Sequence, residues 1–209
     1  MTPLDPVTLR GAHVRLEPLT HAHTDALWDV ARDPALWTWA VSDVRTRADF
    51  ERYVGEALAA QAAGTALPFA IVAANGGERG GEAVAGCTRL GNADIGHGRV
   101  EIGWTFVGRP WQRTAVNSEA KLLLMRHAFE ARGARRVEIR TDARNAVSRA
   151  AIARLGAVEE GTLRQHMVRE AGDVRDTVTF SVVADEWPAV AARLAERLAR
   201  ACNAPGVPA

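Results

Sequence analysis

Cysteine, tyrosine and lysine are nearly missing from this chain of 209 residues, which has two cysteines, one tyrosine (Tyr53) and one lysine (Lys121). Two cysteines, Cys87 in an apolar strand-like run and Cys202 near the end, are too few for a disulfide framework or a thiolate metal cluster, so a reducing cytoplasm is the expected setting. Charge of either sign is not in excess: 26 Lys+Arg against 25 Asp+Glu leave +1. That balance creates no long-range field for nucleic acid or for an anionic membrane, so any anion site must be local. No apolar run approaches the ~20 residues that a membrane span needs. The opening residues, MTPLDPVTLRGAHV, show no charged leader followed by an apolar block, and a soluble, unexported protein is expected.

What is present is a regular change of period. Residues 13–18 (HVRLEP) alternate and read as a strand, and Thr20 then looks like a helix N-cap. Apolar residues repeat at helical spacing over 21–32, closed by Asp33-Pro34, and again over 47–63, stopped by Gly64. Residues 68–73, 83–90 and 99–107 read as three strands of an antiparallel meander, with the GGERGG segment at 76–81 as an exposed hairpin turn. A helix runs from the next motif to Arg132 with Gly133 as its cap, followed by a strand at 136–141 and a shorter helix at 146–155. Two long strands, 158–169 and 175–184, flank the turn 170–173. A last helix, 186–201, carries the stripe Val190, Leu194 and Leu198, expected on its own sheet rather than on a second subunit, and the Pro/Gly tail should fray. One domain over 1–188, with 189–209 as a helical extension and flexible tail, fits this order.

Residues 110–120, PWQRTAVNSEA, end a strand and open the most regular helix. A helix start presents unpaired N–H groups and about half a positive charge, a ready site for phosphate. Gln112, Arg113, Thr114, Asn117 and Ser118 surround it with further donors; the plain alternative is that Thr114 or Asn117 only caps the helix.

The element order, with VEIGWTFVGRPWQRTAVNSEA in its middle and RTDARNAVSRAAIARLGAVEEGTLR after it, resembles the GCN5-related N-acetyltransferase family over about residues 8–188, in particular the RimJ/RimL-type branch that acetylates N-terminal amines of ribosomal proteins. The resemblance implies an α/β (α+β) fold: a mixed, mostly antiparallel central sheet of about seven strands with helices on both faces. It also implies acetyl-CoA as cosubstrate. The family signature, Gln or Arg followed by x-x-Gly-x and then Gly or Ala, wraps the pyrophosphate, and here it reads Gln112-Arg113-Thr114-Ala115-Val116-Asn117. Both small positions have changed, so Asn117 must point away or bond the ligand itself. A second match, Asn145-Ala146-Val147-Ser148, implies that Asn145 and Ser148 face the pantetheine and thiol; as bare sequence it is equally a helix cap.

Acetyl transfer needs a neutral amine, a polarised carbonyl and a proton for the leaving thiolate. By resemblance, Thr105, Phe106 and Val107 supply main-chain donors from a strand that splays from its neighbour. Glu101 is the candidate base, the alternative being a residue of the solvent face. Where many family members place a tyrosine acid this chain has Ile152, and the branch's serine acid is matched by Ser148; its downstream glutamate falls on Met167 and is not carried over. Trp37, Trp39 and His166 are expected in the acceptor pocket, with Trp28 equally suited to the core. The expected activity is direct transfer to a primary amine, a protein N-terminus or a small molecule, without metal or covalent nucleophile, by a monomer or homodimer. Cys87 has no neighbouring base and is a poor nucleophile. A small-molecule acetyltransferase acting on an antibiotic, polyamine or amino acid, and a CoA-binding protein that has lost catalysis, are the alternatives.

Overall fold

Apolar alternation builds eight strands in one sheet, and helical stripes cover both of its faces. The computed structural model describes residues 1–75 and 81–202, without the side chains of 201 and 202. The expected Gly-rich turn, apart from Gly81, and the tail from 203 onward lie outside these residues. The strands are β1 (Leu9–Arg10), β2 (Val14–Pro18), β3 (Leu67–Ala73), β4 (Ala83–Asp94), β5 (Arg99–Val107), β6 (Arg136–Asp142), β7 (Val158–Val168) and β8 (Val174–Val183). The helices are α1 (Thr24–Ala31), α2 (Arg47–Ala62), α3 (Ala115–Arg126), α4 (Ala146–Leu155) and α5 (Trp187–Cys202). The strand order is β1-β2-β3-β4-β5-β6-β8-β7. Neighbours are antiparallel except β5 and β6, which the intervening α3 makes parallel. The strand beyond the expected seven is β1, too short to show a period, which pairs Leu9 with Leu16. Thr20 precedes a single 3-10 turn, His21–His23, that leads into α1.

The two faces carry different cores. Val100, Ile102, Val137, Ile139, Val178 and Phe180 turn toward α3, α4 and α5, and Val190, Leu194 and Leu198 of α5 join the same cluster. Ala70, Cys87 and Phe106 turn the other way, onto Leu27 of α1 and Phe50, Tyr53 and Val54 of α2. The second cluster reaches only across the β2–β5 half, so the alternate residues of β6 and β8 on that side are polar: Glu138, Asp142, Arg175, Thr177 and Ser181.

Two buried polar groups on α3 fix it to the sheet. The Glu119 carboxylate accepts the N–H groups of Ala12 (2.9 Å), His13 (2.6 Å) and Val14 (2.8 Å) at the entry to β2. Gly11 makes room for it, because a Cβ there would lie 2.4 Å from the carboxylate carbon. Lys121, only 6% exposed, donates to Thr105 Oγ1 (2.6 Å) and Thr88 Oγ1 (3.3 Å), and the two hydroxyls bond each other (2.8 Å). Burial disfavours its charge and lowers its pKa from 10.5 to about 7.

Glu119→Ala strips three N–H groups of a charged acceptor; a loss of about 3 kcal/mol in urea denaturation is expected. Lys121 gives a pH signature. Between about 7 and 10.5 the unfolded chain holds a proton that the folded one has released, so stability rises with pH across that window. Lys121→Met should therefore raise the urea midpoint at pH 6–7, by an energy bounded at roughly 5 kcal/mol, with the gain fading toward pH 10.

Candidate active site

β5 and β6 part company in mid-sheet. Their ladder holds three pairs, Arg99 with Arg136, Val100 with Val137 and Glu101 with Glu138, and then stops. Beyond it β6 stays paired with β8 as far as Asp142 and Thr177, while β5 stays paired with β4 as far as Val107 and Gly86. Each strand thus has one edge without a partner strand over its second half, a row of main-chain donors and acceptors facing a gap. A bulge bends β5 here. Cys87 pairs with Phe106 but Arg89 with Gly103, so β5 has one residue more than β4, and Trp104 takes φ 49°. Tyr53 Oη donates to the Trp104 carbonyl (3.0 Å) from beneath, and burial keeps this phenol well above its ordinary pKa. Its hydroxyl is thus buried beneath the strand and committed to that carbonyl.

Thr105, Phe106 and Val107 lie along the open edge, but their side chains are engaged elsewhere. Thr105 belongs to the Lys121 triangle. Phe106 packs 5.3 Å from Trp37 and 6.2 Å from Phe50, ring centre to ring centre. The Val107 carbonyl accepts from Gln112 Nε2 (2.8 Å). What this strand offers a ligand is its main chain.

The loop from β5 to α3 follows at once. Gln112 braces it through that same bond. Arg113 is exposed and takes φ 62°, an unusual backbone for a residue with a Cβ. Thr114 is the N-cap: its Oγ1 accepts Val116 N–H (3.3 Å) and donates to the Trp111 carbonyl (2.7 Å). The other N–H groups of the first turn, those of Ala115, Asn117 and Ser118, have no partner among the described residues. Asn117 turns its Oδ1 out of solvent, where it finds no partner either. The Ser118 hydroxyl is committed away from the loop, accepting from Arg197 of α5 (2.9 Å), which also donates to the Arg154 carbonyl of α4 (2.9 Å). Arg197 was hidden in the sequence by its place on the polar side of an amphipathic helix.

At the start of α4, Asn145 Oδ1 accepts Ser148 N–H (3.0 Å), so this side chain is a helix cap. The half-buried Ser148 hydroxyl has no partner among the described residues. Ile152 is core, and Met167 is exposed on β7. Glu101 stands at the closed end of the gap. It is 9% exposed rather than on a solvent face, held by Asn92 Nδ2 (2.9 Å) and by Arg140 (3.5 Å).

The acceptor side brings a correction. Trp37 is core: it is 7% exposed, its indole N–H bonds the Ala31 carbonyl (2.7 Å), and its ring meets Tyr53 edge-on at 5.3 Å. Trp39 is half-buried under the Arg144 guanidinium, 5.2 Å from its ring centre, and His166 is exposed on β7, the outer strand of the sheet. Trp28 packs against the second core, 5.8 Å from Phe50. The β7–β8 turn docks on the segment after α1: Arg169 donates to the Thr38 and Ala40 carbonyls, Glu170 N–H bonds Val41 O (2.9 Å), and Glu170 Oε2 accepts Asp43 N–H (2.9 Å). Cys87 is buried and its thiol is pushed up to about 11, which removes it as a nucleophile. Among the described residues, no group of three or more His, Cys, Asp or Glu is placed to hold a metal ion. No helix among them is long and apolar enough to cross a membrane. Sequence reading passed over Arg89 because strand alternation alone does not tell a buried polar face from a solvated one.

An open helix start at one end of a strand edge without a partner fits a long cosubstrate with a pyrophosphate and an amide-bearing arm. Comparison with known proteins agrees. The profile of the acetyltransferase (GNAT) domain matches residues 13–158. Curated proteins give no match. Among solved structures, a GCN5-related N-acetyltransferase from Brucella melitensis is 33% identical with a TM-score of 0.83, covering 98% of this chain and 90% of its own. A probable acetyltransferase of the GNAT family from Chromobacterium violaceum is 31% identical at a TM-score of 0.79, covering 90% and 91%. Mycobacterium smegmatis RimJ in complex with CoA-disulfide shares the fold at 23% identity and a TM-score of 0.79, covering 94% and 97%. The parted strands, the open helix start and these matches together make the chain a member of the GNAT family of acetyltransferases, and an N-acetyltransferase enzyme.

Proposed function

We infer that the protein transfers the acetyl group of acetyl-CoA directly to a primary amine, a protein N-terminal α-amine or the amine of a small molecule, in the manner of the RimJ/RimL-type branch. The observation that carries this reading is the end of the β5–β6 ladder at Glu101 and Glu138, which leaves the Thr105–Val107 main chain open beside the start of α3. The N–H groups of Ala115, Asn117 and Ser118, with the Arg113 guanidinium, are assigned to the pyrophosphate. Ala115 and Asn117 replace small residues, and the inward turn of Asn117 Oδ1 keeps that side chain from occupying the phosphate position. Bound acetyl-CoA would supply the activated thioester carbonyl.

The chain's own residues would do the rest. Main-chain N–H groups of the open β5 edge are donors for a carbonyl oxygen on which negative charge develops. Ser148 Oγ, with no partner among the described residues, is the proton donor to the departing sulfur. A Glu101 carboxylate oxygen takes a proton from the acceptor's ammonium group, directly or through a water, and so frees the neutral amine to attack. The demand on this base is small for an α-amine, whose pKa near 8 leaves about a tenth neutral at pH 7, against less than a thousandth for a lysine side chain.

Two substitutions separate binding from chemistry. Arg113→Ala should weaken acetyl-CoA binding by about tenfold in calorimetric titration, the scale of one charge-assisted contact. Ser148→Ala should leave that affinity within a factor of about two and lower turnover by tenfold or more, read as free-thiol release. Full turnover by Ser148→Ala across pH 6–9 would remove serine from the acid role, and no acetyl-CoA binding by the unaltered protein would sink the reading.

A further inference from the structure

The only two arginines buried among the described residues, Arg89 and Arg175, each 8% exposed, have no carboxylate within ion-pair distance there, and the Nε of each is buried without a partner. The arginines that do pair with acids nearby, Arg136, Arg140 and Arg144, have side chains 25–47% exposed. This inverts the expected order, since a buried charge needs its counter-ion most. Lys121 limits the cost by giving up its proton more readily than a free lysine. A guanidinium stays charged at physiological pH, even though burial lowers the pKa of Arg175.

Both arginines lie on the α2 side of the sheet, one on each flank of the β5–β6 gap. Arg89 is on β4 opposite Gly103, two residues from Cys87 of the α2-side core. Its guanidinium is 4.9 Å from the Trp104 ring centre and 5.6 Å from that of Tyr53, contacts that favour a cation but leave its charge uncompensated. Arg175 is on β8, alternating with Val178 and Phe180, which face α3, and it lies just past Thr177, the partner of Asp142 at the end of β6. The acids whose field reaches it, Asp142 and Glu101, are taken: Asp142 by Arg144 (2.8 and 3.0 Å), Glu101 by Asn92 and Arg140. Arg140 Nε and the hydroxyls of Thr177 and Thr179 are also buried without partners, so five of the eight such atoms share this face. It is a surface of donors in need of an acceptor.

We propose that the amine acceptor carries a carboxylate, and that Arg89 and Arg175 bind this group on the α2 side of the gap while Glu101 faces the amine. The inference rests on the acetyl-transfer reading and narrows its acceptor. A singly charged carboxylate suits the face better than a phosphate dianion, because Glu101 and Asp142 border it and repel the second charge. The carboxylate can belong to a free amino acid or to an acidic residue at the start of a peptide.

The test uses acceptors in matched pairs: α-amino acids against their amides, and C-terminally amidated peptides beginning with Asp or Glu against the same peptides beginning with Asn or Gln. Thiol release should show kcat/KM at least tenfold higher for the acid of a pair. Arg175→Met and Arg89→Met should bring that ratio near one with acetyl-CoA affinity unchanged, a control for folding, and Arg175→Lys should restore part of it. A preference confined to free amino acids, or to peptides, identifies the source. Equal kcat/KM within every pair, or a preference that survives in both methionine variants, overturns the proposal and leaves acetyl transfer standing. If no amine is acetylated, acetyl transfer is what fails; ligand-detected NMR of the same pairs with the CoA-loaded protein then decides the carboxylate question, equal binding of acid and amide overturning it.

Discussion

A sheet strand normally pairs on both sides, and this enzyme depends on one that does not. The second half of β5 is bonded to β4 and free toward β6. Unpaired main chain inside a sheet is unstable unless something keeps the strands from closing. Here the constraint has three sources: the extra residue of the bulge, which bends β5 away; Tyr53, which grips the Trp104 carbonyl from the α2 side; and Lys121 with two threonine hydroxyls, which hold the strand to α3 from the other side. Three of the four non-glycine residues with positive φ, Asn92, Trp104 and Arg113, sit around this opening. Local backbone strain is thus concentrated where the strands part.

The same opening divides the labour between the faces. On the α3 side are the helix starts, with open N–H groups and a basic helix, α5, tied in through Arg197. On the α2 side are buried guanidinium groups and acids, under the rim made by the docked β7–β8 turn. Two reactants approaching from opposite faces can meet in the gap without competing for the same contacts.

Much of this was legible in the residues themselves. Alternation and helix stops located the large elements to within a few residues, because β4, β5, α3 and α4 have clear periods and glycine or proline punctuation. PWQRTAVNSEA announced a helix start with exposed donors, and Thr114 does cap it. Asn145 was read as either ligand or cap, and the cap is what its Oδ1 makes. The failures have a common physical root. Trp37 resembles a pocket residue as one of two tryptophans in a joining segment, but a 3-10 turn, Pro34–Trp37, swings it into the core. Glu101 reads as a base or as a solvent-face acid, and its burial shows only in the fold, while Arg89 and Arg175 resemble ordinary strand arginines. Whether an alternating polar residue meets water or a covered face depends on which helix lies above it, and that is decided by chain segments far away.

The burial of Lys121 has one more result. An enzyme that holds an activated thioester is immersed in its own reagent, and any neutral amine on its surface is exposed to slow acylation. This chain has one lysine in all, and that one is shut between α3 and the sheet with its nitrogen engaged by two hydroxyls. Arginine carries the positive charge everywhere else, and a guanidinium is a poor nucleophile because it stays protonated. The protein thus presents the acyl donor with no lysine of its own to modify, so its charge pattern does not drift as it works.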